Sequence, residues 1–250
     1  MINKISMLGV EVADTDIIRT TQFVQQAIKE HSKTYICFAP VSTLVDCQNN
    51  SSYHAIINKA GLTVPDGIPL VWLGRFKGSQ TIQRTCGPDF LQEFCRIGQQ
   101  PGIRHYFFGG NEKGMQGLIT RLKEKFPELQ VAGYYTPGQR MAGQLEDQGV
   151  IDAINSSKAD VLWVGLGSPK QDVWMYNHRH LLNVPVLLGV GAAFDFLSGQ
   201  KKRAPQWMRR YGLEWFYRLC SEPKRLWKRY LFGNSKFIYY LIKKELFKHG

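Results

Sequence analysis

At 250 residues, with 44% hydrophobic and 21% charged residues, the chain has the composition of one large globular domain plus an appendage, which excludes wholesale disorder. No stretch approaches the roughly 20 apolar residues of a spanning helix, and residues 1–12 lack the charged-then-apolar plan of a signal peptide. The net charge of +12 is concentrated at one end: residues 201–250 carry 14 Lys and Arg against three acids, while 1–200 is near neutral. Such asymmetry points to an anionic partner, either nucleic acid or a membrane surface. The five cysteines (Cys37, Cys47, Cys86, Cys95, Cys220) are scattered and contain no C-x-x-C. They read as reduced thiols of a cytosolic protein, without a disulfide framework or zinc site.

Residues 5–12 read as a strand. Asp14-Thr15-Asp16 has the D-x-D spacing of metal-dependent sugar-nucleotide enzymes, but it stands just before an amphipathic run, where a helix N-cap belongs. A second strand is predicted over 34–39 and a helix over most of 41–60. Leu62-Thr63-Val64 is a short run rich in β-formers that Pro65 closes. Asp66-Gly67 then makes a turn, and 68–76 resumes a helix-compatible pattern. A carboxylate is thus set where a strand hands over to a helix, the place where α/β proteins bind ligands. A plain helix cap is the alternative reading of Asp66. Arg84-Thr85-Cys86-Gly87-Pro88-Asp89 leads into another helix, with Pro88 suited to its first turn.

From residue 104 the alternation is regular: strands over 105–108, 129–134, 160–164 and 186–190, with helices over 113–126, 143–156 and 173–182. This predicts a mostly parallel, Rossmann-like sheet flanked by helices, an α/β fold, over 1–200. Three strands end in glycine turns: Gly109-Gly110, Gly165-x-Gly167 and Gly189-x-Gly191. Such turns let backbone N–H groups approach a phosphate closely. None completes G-x-G-x-x-G or a P-loop, so a Rossmann-type nucleotide-dependent oxidoreductase is only weakly supported.

Beyond Ser198 the composition changes, and 201–250 reads as a basic, aromatic-rich helical appendage. Trp207, Trp215, Trp227, Tyr230, Phe237 and Tyr240 are interleaved with Lys and Arg, as in a segment lying in a membrane interface. A helical hairpin packed on the body, with its basic face solvated, is compatible with the same pattern. A nucleic-acid-binding tail is the competing class, but no recognised nucleic-acid module is present.

Together these segments resemble the WecG, TagA and CpsF-type glycosyltransferases of glycosyltransferase family 26, over essentially the whole chain. The resemblance is carried by Pro65-Asp66-Gly67, Gly87-Pro88-Asp89, Gly109-Gly110, Gly165-x-Gly167-Ser168-Pro169-Lys170-Gln171-Asp172 and Gly189-Val190-Gly191 with Phe194-Asp195. Lys202-Arg203-Ala204-Pro205 and Gly212-Leu213-Glu214-Trp215-Phe216-Tyr217-Arg218-Leu219 continue the series. It implies transfer of a hexose from a UDP-sugar to a polyprenyl-diphosphate-linked sugar in cell-surface polysaccharide synthesis, with inversion and without a divalent metal or other cofactor. It also implies an enzyme peripheral to the cytoplasmic face of the membrane, and leaves the oligomeric state open. Asp66 takes the place of the family's proposed general base.

For the donor, the expectation falls on Gly67, Gly109, Gly110, Gly167, Lys170, Gln171 and Asp195. Gln171 could contact uracil, ribose or sugar, and Asp195 could hold a hydroxyl or serve a structural bond. For the acceptor and its diphosphate the candidates are Arg84, Arg203, Arg218, Arg225 and Arg229, because guanidinium matches phosphate in a bidentate way. Pro40 stands where many members end the second strand in an active-site Asn. The Pro65-to-Trp72 variant looks more like the glucosyltransferase branch of exopolysaccharide pathways than the N-acetylmannosamine branch.

Overall fold

The computed structural model describes residues 2–137 and 148–246. The predicted first strand is in fact a hairpin, β1 (Lys4–Met7) paired antiparallel with β2 (Val10–Ala13), and it stands apart from the main sheet. Leu8 and Gly9 at its tip both have positive φ, 54° and 82°, the mark of a tight two-residue hairpin turn that the alternation 5–12 conceals. The Gly9 carbonyl accepts from His54 Nε2 at 2.8 Å and Asn58 Nδ2 at 2.9 Å, which anchors the tip.

Asp16 caps α1 (Ile17–Lys29), its Oδ1 accepting from the Arg19 N–H at 2.8 Å. Asp14 accepts from Ser79 Oγ at 2.7 Å and Thr81 Oγ1 at 2.8 Å. Both D-x-D carboxylates are therefore spent on local structure. Asp16→Ala should lower stability by about 1 kcal/mol, the usual loss for an N-cap, and leave turnover unchanged. A turnover loss rescued by Mn²⁺ would contradict this placement.

The main sheet has six parallel strands in the order β4-β3-β8-β7-β5-β6. They are β3 (Thr34–Ala39), β4 (Leu62–Pro65), β5 (Arg104–Gly109), β6 (Gln130–Tyr135), β7 (Val161–Gly165) and β8 (Val186–Gly189). The strands are covered on both faces, which is why they read as continuous apolar runs. Along β3 the side chains alternate: Tyr35, Cys37 and Ala39 enter one core layer, Ile36 and Phe38 the other. The first layer is covered by α2 (Val41–Asn49), α3 (Ser51–Asn58), α4 (Ile68–Phe76), α7 (Gln148–Ser156) and α8 (Lys170–His178). The second is covered by α1, α5 (Gly87–Ile97), α6 (Glu112–Lys125) and α9 (Ala193–Leu197). The long helix predicted after β3 is broken at Asn50, whose side chain accepts from Tyr53 N at 2.9 Å and so caps α3. The start of the helix predicted over 143–156 lies outside the described residues.

The appendage consists of α10 (Gln206–Arg210), α11 (Glu214–Ser221) and α12 (Pro223–Leu241), with a π-helical turn over Ile242–Leu246. It is not an isolated tail. Leu226 and Phe237 are buried, and α12 packs along α2. Tyr240 donates to Asn49 at 2.9 Å and Lys244 to Gln48 at 2.7 Å. Gly212 approaches the start of α4 so closely that a Cβ would stand 2.9 Å from Ile68. Among the described residues no helix is long and apolar enough to cross a membrane.

Candidate active site

Four adjacent strands, β4, β3, β8 and β7, end beneath one cavity of about 950 Å³. Its floor is made of strand-end residues: Phe38 and Pro40, Asp66 and Gly67, Gly165 to Ser168, and Gly189 to Ala193. Its walls come from α4, from α9 and the loop beyond it, and from the appendage. The crevice beyond the carboxyl ends of the strands is thus roofed by the chain's own C-terminal helices.

Asp66 sits on this floor. Its N–H donates to the Ala39 carbonyl at 3.0 Å, which extends the β3–β4 pairing by one step and fixes where the side chain starts. The capping alternative does not hold, because Gly67 is the N-cap residue of α4 and no side chain caps it. Loss of solvation pushes the Asp66 carboxyl up to about 7. The nearby Arg84 guanidinium opposes that rise, Glu214 reinforces it, and Arg218 and Arg203 oppose it. The balance is a carboxylate that gains and loses its proton near neutral pH.

The arginines around it belong to an alternating charge network. Arg84 bonds Glu214 at 2.5 Å, and Glu214 also accepts from Arg203 Nε at 3.2 Å. Arg203 reaches on to Asp89 through both terminal nitrogens, and Arg209 approaches Asp89 at 3.4 Å. Burial pushes the Asp89 carboxyl up, but the Arg203 hydrogen bonds and charge outweigh it and hold it below the usual range. The network ties the loop before α5, the start of α5 and the appendage together around Asp66. Glu214 carries no site role in the sequence reading beyond its place in the Gly212-to-Leu219 stretch, although one of only three acids in a strongly basic segment is a visible signal.

Arg84 and Arg218 line the cavity, whereas Arg203 does not. The Arg218 guanidinium lies 5.5 Å from the Phe196 ring centre, its Nε is buried without a hydrogen-bond partner, and among the described residues it makes no ion pair. A cation left in that state is suited to an incoming anion. The side chains of Arg225 and Arg229 lie outside the described residues.

Of the donor candidates, Gly67, Gly167, Gln171 and Asp195 line the cavity. Gly109 and Gly110 do not, since β5 is the strand beyond β7. A Cβ on Gly109 would stand 2.7 Å from the Gly165 backbone, and one on Gly165 would stand 2.5 Å from the Phe194 ring. These glycines serve close packing. Lys170 is exposed and outside the lining. Gln171 is buried, and both ends of its amide are engaged: Oε1 accepts from Gly167 N at 3.1 Å and Gly191 N at 2.9 Å, and Nε2 donates to the Gly189 carbonyl at 2.7 Å. It clamps the ends of β7 and β8 together and consumes two glycine N–H groups that the sequence had offered to phosphate. Its neighbour Asp172 is buried too and accepts from Tyr53 Oη at 2.7 Å, pinning α8 to α3. Asp195 is paired with Lys201 at 3.0 Å, and Lys201 also reaches Glu222 at 3.4 Å. Lys201 lines the cavity, whereas Lys170 does not.

A half-buried carboxylate that exchanges its proton near neutral pH, on the floor of a cavity that Arg84 and Arg218 also line and that is large enough for a nucleotide and a sugar, is suited to group transfer. The family model of the glycosyl transferases described as WecG/TagA/CpsF matches residues 5–250. The chain belongs to this family of glycosyl transferases. Similar curated proteins include one from Bacillus subtilis (strain 168), 31% identical over 194 residues, covering 77% of this chain and 73% of that protein. Another, from Bacillus spizizenii (strain ATCC 23059 / NRRL B-14472 / W23), is 33% identical over 201 residues, covering 80% and 75%. A protein from Staphylococcus aureus (strain MW2) is 25% identical over 228 residues, covering 89% and 87%. All three bear the name N-acetylglucosaminyldiphosphoundecaprenol N-acetyl-beta-D-mannosaminyltransferase. Membership favours the glycosyl transferase reading over the Rossmann-type oxidoreductase.

Proposed function

We propose that this glycosyl transferase moves a hexose from a UDP-sugar onto a polyprenyl-diphosphate-linked sugar, with inversion at the anomeric carbon and Asp66 as general base. The observation that carries this reading is the Asp66 carboxyl, raised to about 7 on the floor of the cavity that Arg84 and Arg218 also line. A base poised near the working pH is both ionised often enough to act and basic enough to take a proton. In a single displacement the acceptor hydroxyl oxygen attacks C1 of the donor sugar and its proton passes to a carboxylate oxygen of Asp66. The bond from C1 to the phosphate oxygen breaks on the opposite face, and its electron pair leaves with UDP.

The leaving diphosphate needs compensating charge. Lys201, held by Asp195 and Glu222, lies on the α9 side of the cavity and is suited to the donor. Arg218 and Arg84 are suited to the acceptor's diphosphate, with Arg225 and Arg229 as further candidates from α12. This cationic set supports a reaction that needs no divalent metal, and the engagement of Asp14 and Asp16 elsewhere agrees with it. The acceptor follows the relatives' names, a polyprenyl diphosphate bearing N-acetylglucosamine. The excess of Lys and Arg in the appendage supports a peripheral position on an anionic membrane surface.

Two donors are in contention. The relatives' names favour N-acetylmannosamine. Pro40, which lines the cavity without a side-chain donor or N–H, favours a sugar lacking the N-acetyl group, glucose first. The test is acceptor-dependent UDP release in the presence of EDTA. UDP-glucose is expected to outperform UDP-N-acetylmannosamine. Turnover of the latter alone would align the chain with its relatives' activity, and no transfer from any UDP-hexose would overturn the reading.

A further inference from the structure

The cavity has two chemically different sides. Around Asp66 it is lined by Arg84, Arg218, Lys201, Asp195 and Glu214. On the side of the first core layer it is lined by Trp72, Leu73 and Phe76 from α4 and by Phe237, Ile238 and Leu241 from α12. Leu73 and Phe237 are buried in that layer, but the wall does not stop at the protein surface. Trp72 is 63% exposed, Phe76 78% and Ile238 57%. Three large apolar side chains at one cavity mouth are costly to leave in water unless something covers them.

α4 is also the helix that begins two residues after Asp66. Its apolar side chains are therefore held in fixed relation to the base, and α12 faces them across the cavity. A ligand that fills both halves must be amphipathic: an anionic head beside Arg84 and Arg218, and a hydrocarbon leading away between α4 and α12. A nucleotide or a free oligosaccharide fits the first half and leaves the second empty.

We propose that the wall formed by Trp72, Leu73 and Phe76 of α4 with Ile238 and Leu241 of α12 is a subsite for the first isoprene units of the lipid acceptor. This rests on the reading of the acceptor given above and adds a specificity site within the catalytic body. The subsite makes the enzyme read the lipid as well as the sugar. It holds the diphosphate in register with Asp66 by gripping the chain on its far side.

The test is binding, so that it stands whether or not transfer is found. Full-length protein is titrated calorimetrically with geranyl diphosphate and with inorganic diphosphate, in the wild type and in the Trp72→Ser/Phe76→Ser variant. The same pair of titrations is made with Ile238→Ser. All three positions are solvent-exposed, so the variants should fold. The wild type is expected to prefer geranyl diphosphate by about ten-fold or more, the scale of burying a few methylene-sized groups. The double variant should reduce that preference to about two-fold, with inorganic diphosphate affinity little changed. Equal affinity of the wild type for the two probes would overturn the subsite, as would an undiminished preference in the variants. A variant that keeps the preference but binds anionic vesicles less well would assign Trp72 and Phe76 to the bilayer surface instead. Geranyl preference without transfer from any UDP-hexose would overturn the functional reading while leaving the subsite in place.

Discussion

Asp66→Asn is expected to lower turnover by about 100-fold or more while leaving the fold intact, the scale on which a lost general base is felt. The stability of the variant separates this from simple unfolding. In the native protein the Asp66 carboxyl is held above its ordinary value of 3.8, at about 7. Its protonated form therefore stabilises the fold fully below the unfolded value, and that contribution is lost as pH rises through about 7. Asparagine cannot ionise, so the variant should melt at or above the wild-type temperature under neutral and alkaline conditions. Loss of activity together with a lower melting temperature would point to a structural role, and near-normal turnover in a well-folded variant would remove Asp66 from the mechanism.

The second large effect is expected at the membrane. Lys224, Lys236 and Lys243 are exposed on the appendage. Each lysine near an anionic leaflet contributes about 1 kcal/mol, so replacing all three with Gln should weaken binding to phosphatidylserine-containing vesicles by on the order of 100-fold at low salt. High salt should release the wild type in part, because exposed charge is screened. Deleting everything after Leu219 should abolish most vesicle binding and most transfer, while UDP still binds the remaining body. It should also lower the melting temperature, because Leu226 and Phe237 are buried and α12 covers α2. Full vesicle binding by the truncated form would mean that the appendage is a packing element only.

Much of this was legible because the α/β alternation writes itself into the sequence. Buried parallel strands are short apolar runs, and β7 and β8 could be placed by their hydrophobicity and closing glycines alone. The strand-end position of Asp66 followed from Pro65 and Gly67. What could not be seen was set by strand order. Gly109-Gly110 and Gly165-x-Gly167 look alike in sequence, yet β5 lies outside the four strands that floor the cavity and β7 lies within them. The same holds for Lys170 and Gln171, adjacent residues on the first turn of α8. One points to solvent, and the other spends its amide on the two neighbouring turns.

The charge network was hidden for a different reason. Arg84, Asp89, Arg203, Arg209 and Glu214 come from segments more than a hundred residues apart and meet only because the appendage folds back over the cavity. A basic tail reads as a solvated or membrane-facing surface, and part of it is. Within it, Glu214 pairs with Arg84 of the body, and Lys201, which Glu222 also reaches, pairs with Asp195. Local signals also misled at the hairpin, where Leu8 and Gly9 reverse the chain inside what looks like a single strand.

The most direct test of the mechanism is the pH dependence of kcat/KM for acceptor-dependent UDP release, measured from about pH 5 to about pH 9. With Asp66 acting as an ionised base, activity should rise along a single limb centred near 7, where its carboxyl titrates. A profile that is flat across this range, or that rises only near the ordinary carboxylate value, would contradict the assignment of Asp66 as the base.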